Sequence, residues 1–455
     1  MSKNNSSFGR LNILKILAHG EGRVVFLGAG GVGMSSLMAL TSHFGIKTQG
    51  FDRASGVYLD ALKRSGEEVT VGEGELPSDT ALLVYTLAIS ESDPLILSAE
   101  LRKIPCVSRA EYMSAIVSAY KMKIAVSGSH GKSTVTAMLH SIFTEAGKNP
   151  TTVSGASLYN TGEAYRIGAL DYILFESCEY KDSFLSFEPD MALFLNLEYD
   201  HTDYFKSFDD LCQSFAKAAQ KSAISIINVD DGKLRKIGEK LYTPPIKVGV
   251  NQCADYRYEP ISEFLPKIAA RVYYKDRELG VLRLNILGQF NISNAVMATA
   301  AAMECGISFD VCASALSCFR GAPSRLEYVT RWQGREVYFD YAHHPTEISA
   351  GIKAIKDYTG GDITLIFGPH TYSRTKSLFD SFIEALSLAD HLLLTPIDAI
   401  REEKDDTVSS EALASLAGGR VVYTAKEVVS ALSQTKGAIV VMGAADLSWV
   451  KSIFL

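Results

Sequence analysis

The segment Val126-Ser127-Gly128-Ser129-His130-Gly131-Lys132-Ser133-Thr134 constrains this chain more than any other. The apolar run Lys123-Ile124-Ala125-Val126 leads into it, and apolar residues at helical spacing follow at once: Val135, Met138, Leu139 and Ile142. A strand feeding a glycine-bracketed loop that opens a helix is a phosphate cradle. Backbone N–H groups converge on the oxygens, the helix dipole favours an anion, a lysine spreads charge and a hydroxyl ligates Mg²⁺. The full pattern G-x-x-x-x-G-K-[ST] would place glycine at position 126, where Val126 stands. The loop is therefore a shortened variant in which Gly128, Ser129, His130, Gly131, Lys132, Ser133 and Thr134 form the triphosphate site. Lys132 is expected on the β- and γ-phosphates and the Ser133 hydroxyl on the metal.

The same alternation of strand-like and helical runs continues through most of the 455 residues, which predicts an α/β protein with parallel sheets. That length exceeds one ordinary core. Composition and pattern divide it into a Rossmann-like unit at 1–121, a central ATPase-like unit at 122–321 and a Rossmann-like C-terminal unit at 322–455. Shorter runs such as Arg271-Val272-Tyr273-Tyr274 and Gly280–Leu284 predict an antiparallel patch between residues 245 and 285. A net charge of −7 argues against a nucleic-acid partner, and no apolar run reaches membrane-span length. The polar first residues lack a secretory apolar region, so a cytoplasmic protein without membrane insertion is expected. The seven cysteines are odd in number and form no C-x-x-C pair, which points to reduced thiols rather than a disulfide framework or a zinc site.

Other polar groups stand at strand ends, where open α/β sheets bind ligands. Gly28-Ala29-Gly30-Gly31-Val32-Gly33 separates a strand from a helix, and Asp52 ends the next strand. That motif fits a dinucleotide such as NAD, a turn for another nucleotide, or a packing turn without ligand. Glu176 directly follows the run Tyr172–Phe175, and Asp200-His201 follow Leu193–Leu197, so Glu176 and His201 are the expected metal ligands. Mg²⁺ prefers oxygen, which makes the histidine unusual. Glu179 and Asp182 read either as further ligands or as a solvated acidic turn. Asn291 is a reasonable N-cap for a helix that also carries Asn294, and Arg325 reads equally as a surface arginine. In the third unit, Asp340-Tyr341-Ala342-His343-His344-Pro345-Thr346-Glu347 and Pro369-His370-Thr371-Tyr372-Ser373-Arg374 form two polar clusters. Two consecutive histidines rarely point at one ion, so substrate contacts are the better expectation.

Taken in order, these motifs resemble the ATP-dependent Mur ligases, three-domain amide-forming enzymes of peptidoglycan synthesis, over nearly the whole chain from about residue 23. Gly128–Thr134 is similar to the family's G-T-H-G-K-T-T, Gly288–Ala295 to G-x-H-N-x-x-N-A, and Asp340–Glu347 to D-Y-G-H-H-P-T-E. The last motif, Pro369-His370-x-Tyr372-x-Arg374 and Ser108-Arg109-Ala110-Glu111 resemble the branch that adds L-alanine to UDP-N-acetylmuramate. The resemblance implies that Gly28–Gly33, Asp52 and Arg109 hold a UDP-sugar rather than NAD. It implies ATP and Mg²⁺ (or Mn²⁺) at Lys132, Ser133, Glu176 and His201. Asn291 and Asn294 would meet adenine, Arg325 the γ-phosphate and Asp340 the ribose. Tyr341, His343, His370 and Arg374 would surround the amino acid, with Lys132, His343, His370 and Arg374 in catalysis.

The chain departs from the family at several points. Thr371 stands where P-H-R-Y has arginine, Phe290 replaces the histidine beside Asn291, and the acidic run A-E-A-D-E-S-D is here Phe175-Glu176-Ser177-Cys178-Glu179-Tyr180-Lys181-Asp182. Lys217 is the counterpart considered for a carbamylated lysine that some relatives carry. The expected activity is carboxylate activation by ATP through an acyl phosphate, then amide formation, in a monomer or homodimer. A ligase for another amino acid or peptide, an NAD-dependent oxidoreductase and a non-catalytic nucleotide-binding protein are the alternatives.

Overall fold

Three sheets, each covered by helices, account for the strands among the described residues. The computed structural model describes residues 9–20, 22–158, 163–201, 204–261, 268–399 and 402–455. The first sheet is wholly parallel, in the order Val69–Val71, Lys47–Asp52, Arg23–Leu27, Thr80–Tyr85, Cys106–Ser108. Its central strand is buried from Val24 to Leu27 because helices cover both faces, which is why it reads as a continuous apolar run. The helix Arg10–His19, which lies ahead of this unit, packs on the helix Arg109–Ser118.

The central sheet has ten strands and places Met122–Ser127 between Met191–Phe194 and Ala169–Glu176, all parallel. This pairing brings the segments after all three strands to one edge: the phosphate loop, residues 176–182 and residues 195–201. Ile224–Asn228 and Ile246–Gly249 continue the sheet in parallel. Tyr256–Ile261, Ile268–Tyr274 and Arg277–Leu284 then pair antiparallel, as the shorter runs predict. The helices Phe290–Glu304 and Phe309–Cys318 join Lys132–Glu145 over this face in one apolar core. Asn291 is not the cap: Gln289 precedes the first turn, and Asn291 lies inside it.

The third sheet runs Glu327–Trp332, Arg335–Asp340, Ala438–Met442, Ile363–Phe367, His391–Leu394, Arg420–Val421, with only the first pair antiparallel. The expected boundaries near residues 121 and 321 fall between the last strand of one sheet and the first of the next. Strands at Val69–Val71, Pro150–Val153, Tyr165–Arg166 and Glu327–Trp332 had too little apolar contrast to stand out in the sequence.

Arg335 staples the third sheet. Its guanidinium donates to the carbonyls of Leu432, Lys436 and Gly437 and to the hydroxyls of Thr364 and Thr435 at 2.7–3.2 Å. A lysine has one ammonium and cannot reproduce that fork. Arg335→Lys is therefore expected to lower the opening free energy of Ala438–Met442 by about 2 kcal/mol, as several net hydrogen bonds are lost. Amide hydrogen exchange of that strand measures it.

Candidate active site

The phosphate loop takes its shape from the neighbouring strand end. The Asn196 side chain accepts from the His130 amide at 2.7 Å and donates to the His130 carbonyl at 3.0 Å. Ser129 exchanges hydrogen bonds with Glu198 at 3.1 and 2.8 Å. The loop can be short because residues 195–198 supply this second wall. Glycine is required at both ends. Gly128 has φ +148°, and a Cβ there would lie 3.0 Å from the Leu195 Cβ; Gly131 has φ +84°, and a Cβ would meet the Asn294 side chain at 3.0 Å.

Lys132 opens the helix with its Nζ folded back on the Gly128 carbonyl at 2.5 Å and 3.3 Å from Glu179 Oε2. Glu179 Oε1 lies 3.6 Å from His201 Nε2. Glu179 is only 2% exposed, so the reading of it as a solvated acidic turn is corrected: it is the carboxylate at the centre of the site. Burial alone would raise the Glu179 pKa, but Lys132 and His201 hold it below the ordinary value. Burial likewise opposes the charge on Lys132, yet Glu179, Cys178 and Glu176 together raise its pKa. The expected ligand Glu176 is placed differently. Its carboxylate accepts from the Ser154 hydroxyl at 2.8 Å and from the Gly155 amide, in the wall of the larger cavity that Lys132 also lines. Glu176 lies near enough to help raise the pKa of Lys132, and the turn at residues 177–179 also carries Glu179 over the lysine. Lys217 is exposed in the last turn of the helix Phe208–Gln220.

Two cavities share the phosphate loop as a wall. The larger, about 1030 Å³, runs from the N-terminal glycine turn to the centre, lined by Gly28, Gly31, Val32, Gly33, Asp52, Arg109, Lys132, Glu176 and Cys178. Ala29 is wholly buried, and its methyl lies where a Cβ on Gly50 would fall, so its role is packing. Gly30 donates to Asp52 Oδ2 at 2.8 Å, so Asp52 braces the turn as well as facing the cavity. A Cβ on Gly33 would approach the Arg109 guanidinium to 3.0 Å.

The smaller cavity, about 290 Å³, is lined by His130, Gly131, Ser133, Thr134, Asn291, Asn294, Arg325 and Asp340, and Phe290 lies at its side. Asn291 donates to the Leu287 carbonyl and accepts from Asn294 at 2.9 Å, which orients both amides. Arg325 Nη2 lies 3.5 Å from the Ser133 hydroxyl and stacks over the Tyr341 ring. Burial raises the Asp340 pKa to about 7 despite Arg325.

A third cluster joins the central and C-terminal sheets. Arg374 pairs with Asp200 at 3.2 Å, and His370 Nδ1 lies 3.4 Å from Arg374. Burial opposes ionisation of Asp200, but Arg374 and His201 hold its pKa well below the ordinary range. His343 Nδ1 contacts the Tyr341 carbonyl at 3.0 Å, and burial pushes its pKa down to about 4. Burial and Arg374 lower His370 too. Adjacent His344 turns away to Glu198 at 3.3 Å, so the two histidines do point apart. Thr371 takes φ +66° and donates its amide to the Asp398 carbonyl, ahead of the helix Tyr372–Ser377.

Sequence reasoning gave no role to the clamp between the sheets. His130 sits between Glu198 Oε2 at 3.1 Å and Glu347 Oε1 at 3.0 Å. Burial opposes its charge, but the two carboxylates raise its pKa to about 9. Glu347 also caps its helix through the amides of His343 and His344. The signal for it was the capping-box spacing His344-x-x-Glu347.

Comparison with known proteins gives consistent matches in chain order. Residues 23–121 match the Mur ligase family catalytic domain, 126–302 the Mur ligase middle domain, and 324–445 the Mur ligase glutamate ligase domain. A UDP-N-acetylmuramate–L-alanine ligase of Caldicellulosiruptor bescii is 36% identical over 400 residues, 85% of this chain and 86% of that protein. One of Clostridium novyi is 36% identical over 395 residues, 86% of each. The solved UDP-N-acetylmuramate–alanine ligase of Thermotoga maritima superposes with a TM-score of 0.80 at 23% identity, over 95% of this chain and 98% of that one. A murein peptide ligase of Psychrobacter arcticus superposes with 0.73 at 22% identity, over 95% and 98%. These two likenesses establish the fold.

The clamp makes stability depend on pH. The folded-state pKa of His130, about 9, lies above its ordinary 6.5, so its contribution is fully present below pH 6.5 and is lost as pH rises through 9. His201, raised to about 10, acts with the same sign. The Tm is expected to fall between pH 6.5 and 10, and Glu347→Gln to flatten the part of that fall below pH 9, in thermal scans of the two proteins side by side.

Proposed function

The chain belongs to the Mur ligase family, and from that premise we propose that it joins L-alanine to the carboxylate of UDP-N-acetylmuramate at the expense of ATP, in peptidoglycan synthesis. The observation that carries the reading is the shared wall. Lys132 lines the cavity that begins at the glycine turn, while Ser133 and Thr134 line the cavity of Asn291, Asn294 and Asp340. A nucleoside triphosphate in the smaller cavity and a carboxylate in the larger one meet across the loop.

In this reading the larger cavity holds the UDP-sugar against the turn Gly28–Gly33 at the N-terminus of the helix Val32–His43, with Arg109 on a phosphate. Asn291 and Asn294 face adenine, Asp340 the ribose and Arg325 the γ-phosphate. We assign Mg²⁺ (or Mn²⁺) to Ser133, Glu179 and His201, with Glu176 near the cavity wall rather than at the ion. A hydroxyl and a buried carboxylate suit a hard cation, and Glu179 is buried with an ionised carboxylate as such a role requires. The cation would supply charge neutralisation on the transferring phosphoryl group.

The substrate carboxylate oxygen attacks the γ-phosphorus, the bond to ADP breaks and an acyl phosphate forms. Lys132, whose ammonium Glu179 keeps charged against the opposing effect of burial, moves from the Gly128 carbonyl to the phosphate oxygens. The amine of alanine then attacks the acyl carbon, and inorganic phosphate leaves. Arg374 receives the carboxylate of the amino acid in exchange for Asp200. His343 is neutral at pH 7. The tautomer that donates Nδ1–H to the Tyr341 carbonyl leaves Nε2 free to take the proton of the amine. Tyr341 and His370 line the same face. The reactants come from three sheets, so closure excludes water from the acyl phosphate.

No helix among the described residues is long and apolar enough to cross a membrane. We assign the activity to the cytoplasm, where ATP and nucleotide-linked sugars serve as substrates, in a monomer or homodimer.

Phosphate release is expected only when ATP, UDP-N-acetylmuramate and L-alanine are all present. Lys132→Ala should lower it at least ~10³-fold, on the scale of a cationic group lost from phosphoryl transfer, with an unchanged circular dichroism spectrum. Turnover near that of the parent protein would refute the assignment. Gly33→Ala should displace Arg109 and weaken UDP-sugar binding at least about tenfold while leaving ATP binding intact, as read by calorimetry.

A further inference from the structure

One side chain of the central site has no part in the reaction just described. Cys178 lies directly before Glu179 and lines the larger cavity beside Lys132. A sulfur of Cys178, a carboxylate oxygen of Glu179 and a ring nitrogen of His201 all lie within 4.8 Å of one another. We propose that Cys178, Glu179 and His201 form a site for a thiophilic divalent cation of the zinc type, which competes there with Mg²⁺. The competition rests on the ligase reading above; the site itself does not.

Three arguments support it. The first is donor chemistry: thiolate and imidazole favour Zn²⁺ over Mg²⁺, whereas a hard-cation site would offer oxygens alone. Cys178 stands at the place of the aspartate in the acidic run A-E-A-D-E-S-D that this segment resembles, so this chain offers sulfur where that run offers oxygen.

The second is geometry. Glu179 Oε1 and His201 Nε2 are 3.6 Å apart, close to the edge of about 3.5 Å expected for a tetrahedron with bonds of about 2.0–2.3 Å. The Cys178 sulfur lies within 4.8 Å of both. The imidazole is already oriented: His201 holds φ +55°, its amide donates to Asp200 Oδ1 at 2.7 Å, and its ring packs on Tyr180 at 4.7 Å. Glu179 is buried and held by Lys132, whose Nζ lies 3.3 Å from Oε2 and 3.5 Å from Oε1.

The third is access. Cys178 lines the cavity of about 1030 Å³, which gives a cation, and a water or substrate oxygen in the fourth position, a route to the three ligands, as in exchangeable zinc sites rather than closed structural ones. The sequence did not announce this site because its ligands come from two segments and include no C-x-x-C pair. On binding, the S–H bond breaks, the S–metal bond forms and the proton passes to solvent, so affinity rises with pH. No change of oxidation state is involved.

Co²⁺ titration of the whole metal-free protein tests the proposal, because thiolate ligation gives a near-ultraviolet charge-transfer band independent of turnover. One saturable equivalent is expected, displaced by Zn²⁺ but not by millimolar Mg²⁺. The band should persist when the exposed thiols are removed by Cys253→Ser and Cys318→Ser, and vanish in Cys178→Ser. Calorimetric Zn²⁺ affinity should fall at least about tenfold in that variant. Cys178→Asp, which restores an oxygen donor, should also lack the band and guards against a folding defect, checked by circular dichroism. No band in the parent protein, or an undiminished band in Cys178→Ser, overturns the site. Mg²⁺-supported phosphate release in the presence of a zinc-selective chelator judges the ligase reading separately.

Discussion

The site depends first on the parallel pairing of Met122–Ser127 between two strands that end at the same level. Parallel neighbours deliver their following loops to one edge of a sheet, whatever those loops contain. Here the delivery is coupled by hydrogen bonds, since Asn196 from one strand end grips His130 in the loop of the other. Ser177 donates to the Val126 carbonyl and Ser127 to the Ser177 carbonyl, which fixes the turn that carries Glu179. A slip of this register would separate the lysine from its carboxylate.

On that frame the site is an arrangement of buried charges that no pair could sustain alone. Lys132, Glu179 and His201 form one group; His130, Glu198 and Glu347 form another; Asp200 and Arg374 form a third. Desolvation is the largest opposing cause for these ionised groups, and close opposite charges outweigh it. The second and third groups cross from the central to the C-terminal sheet. Those pairs therefore hold two domains in the juxtaposition that chemistry needs, in addition to any role toward substrate. His343 and His370 sit among them without a net carboxylate advantage, so they stay neutral.

Much of the fold was legible because buried parallel strands and their helices write strong local patterns. Ile224–Asn228, Phe309–Cys318, Ile363–Phe367 and Ala438–Met442 stand where the apolar runs place them. Short edge strands such as Tyr165–Arg166 were not legible, since a half-exposed two-residue ladder needs no apolar pattern. Within the site, the glycines of the phosphate loop and Lys132 could be named from their spacing between a strand and a helix, whereas Asn291, Asn294 and Arg325 stood out only through the family resemblance. Glu176 and Glu179 could not be told apart. They are three residues apart on an irregular turn, and which one meets the lysine depends on the non-helical backbone at Lys181 and Asp182 and on the partners that turn finds.

By itself the sequence determined that this chain is a parallel α/β protein with a triphosphate loop, because glycine placement, apolar runs and helix starts are local requirements. Its ordered motifs also determined the family. Only the tertiary structure decided which carboxylate joins Lys132, which histidine is clamped and charged, that the cavities meet at one loop, and that a thiol stands beside Glu179 and His201. Those outcomes follow from burial and from contacts between residues far apart in the chain, and a pKa or a ligand set exists only once such contacts are made.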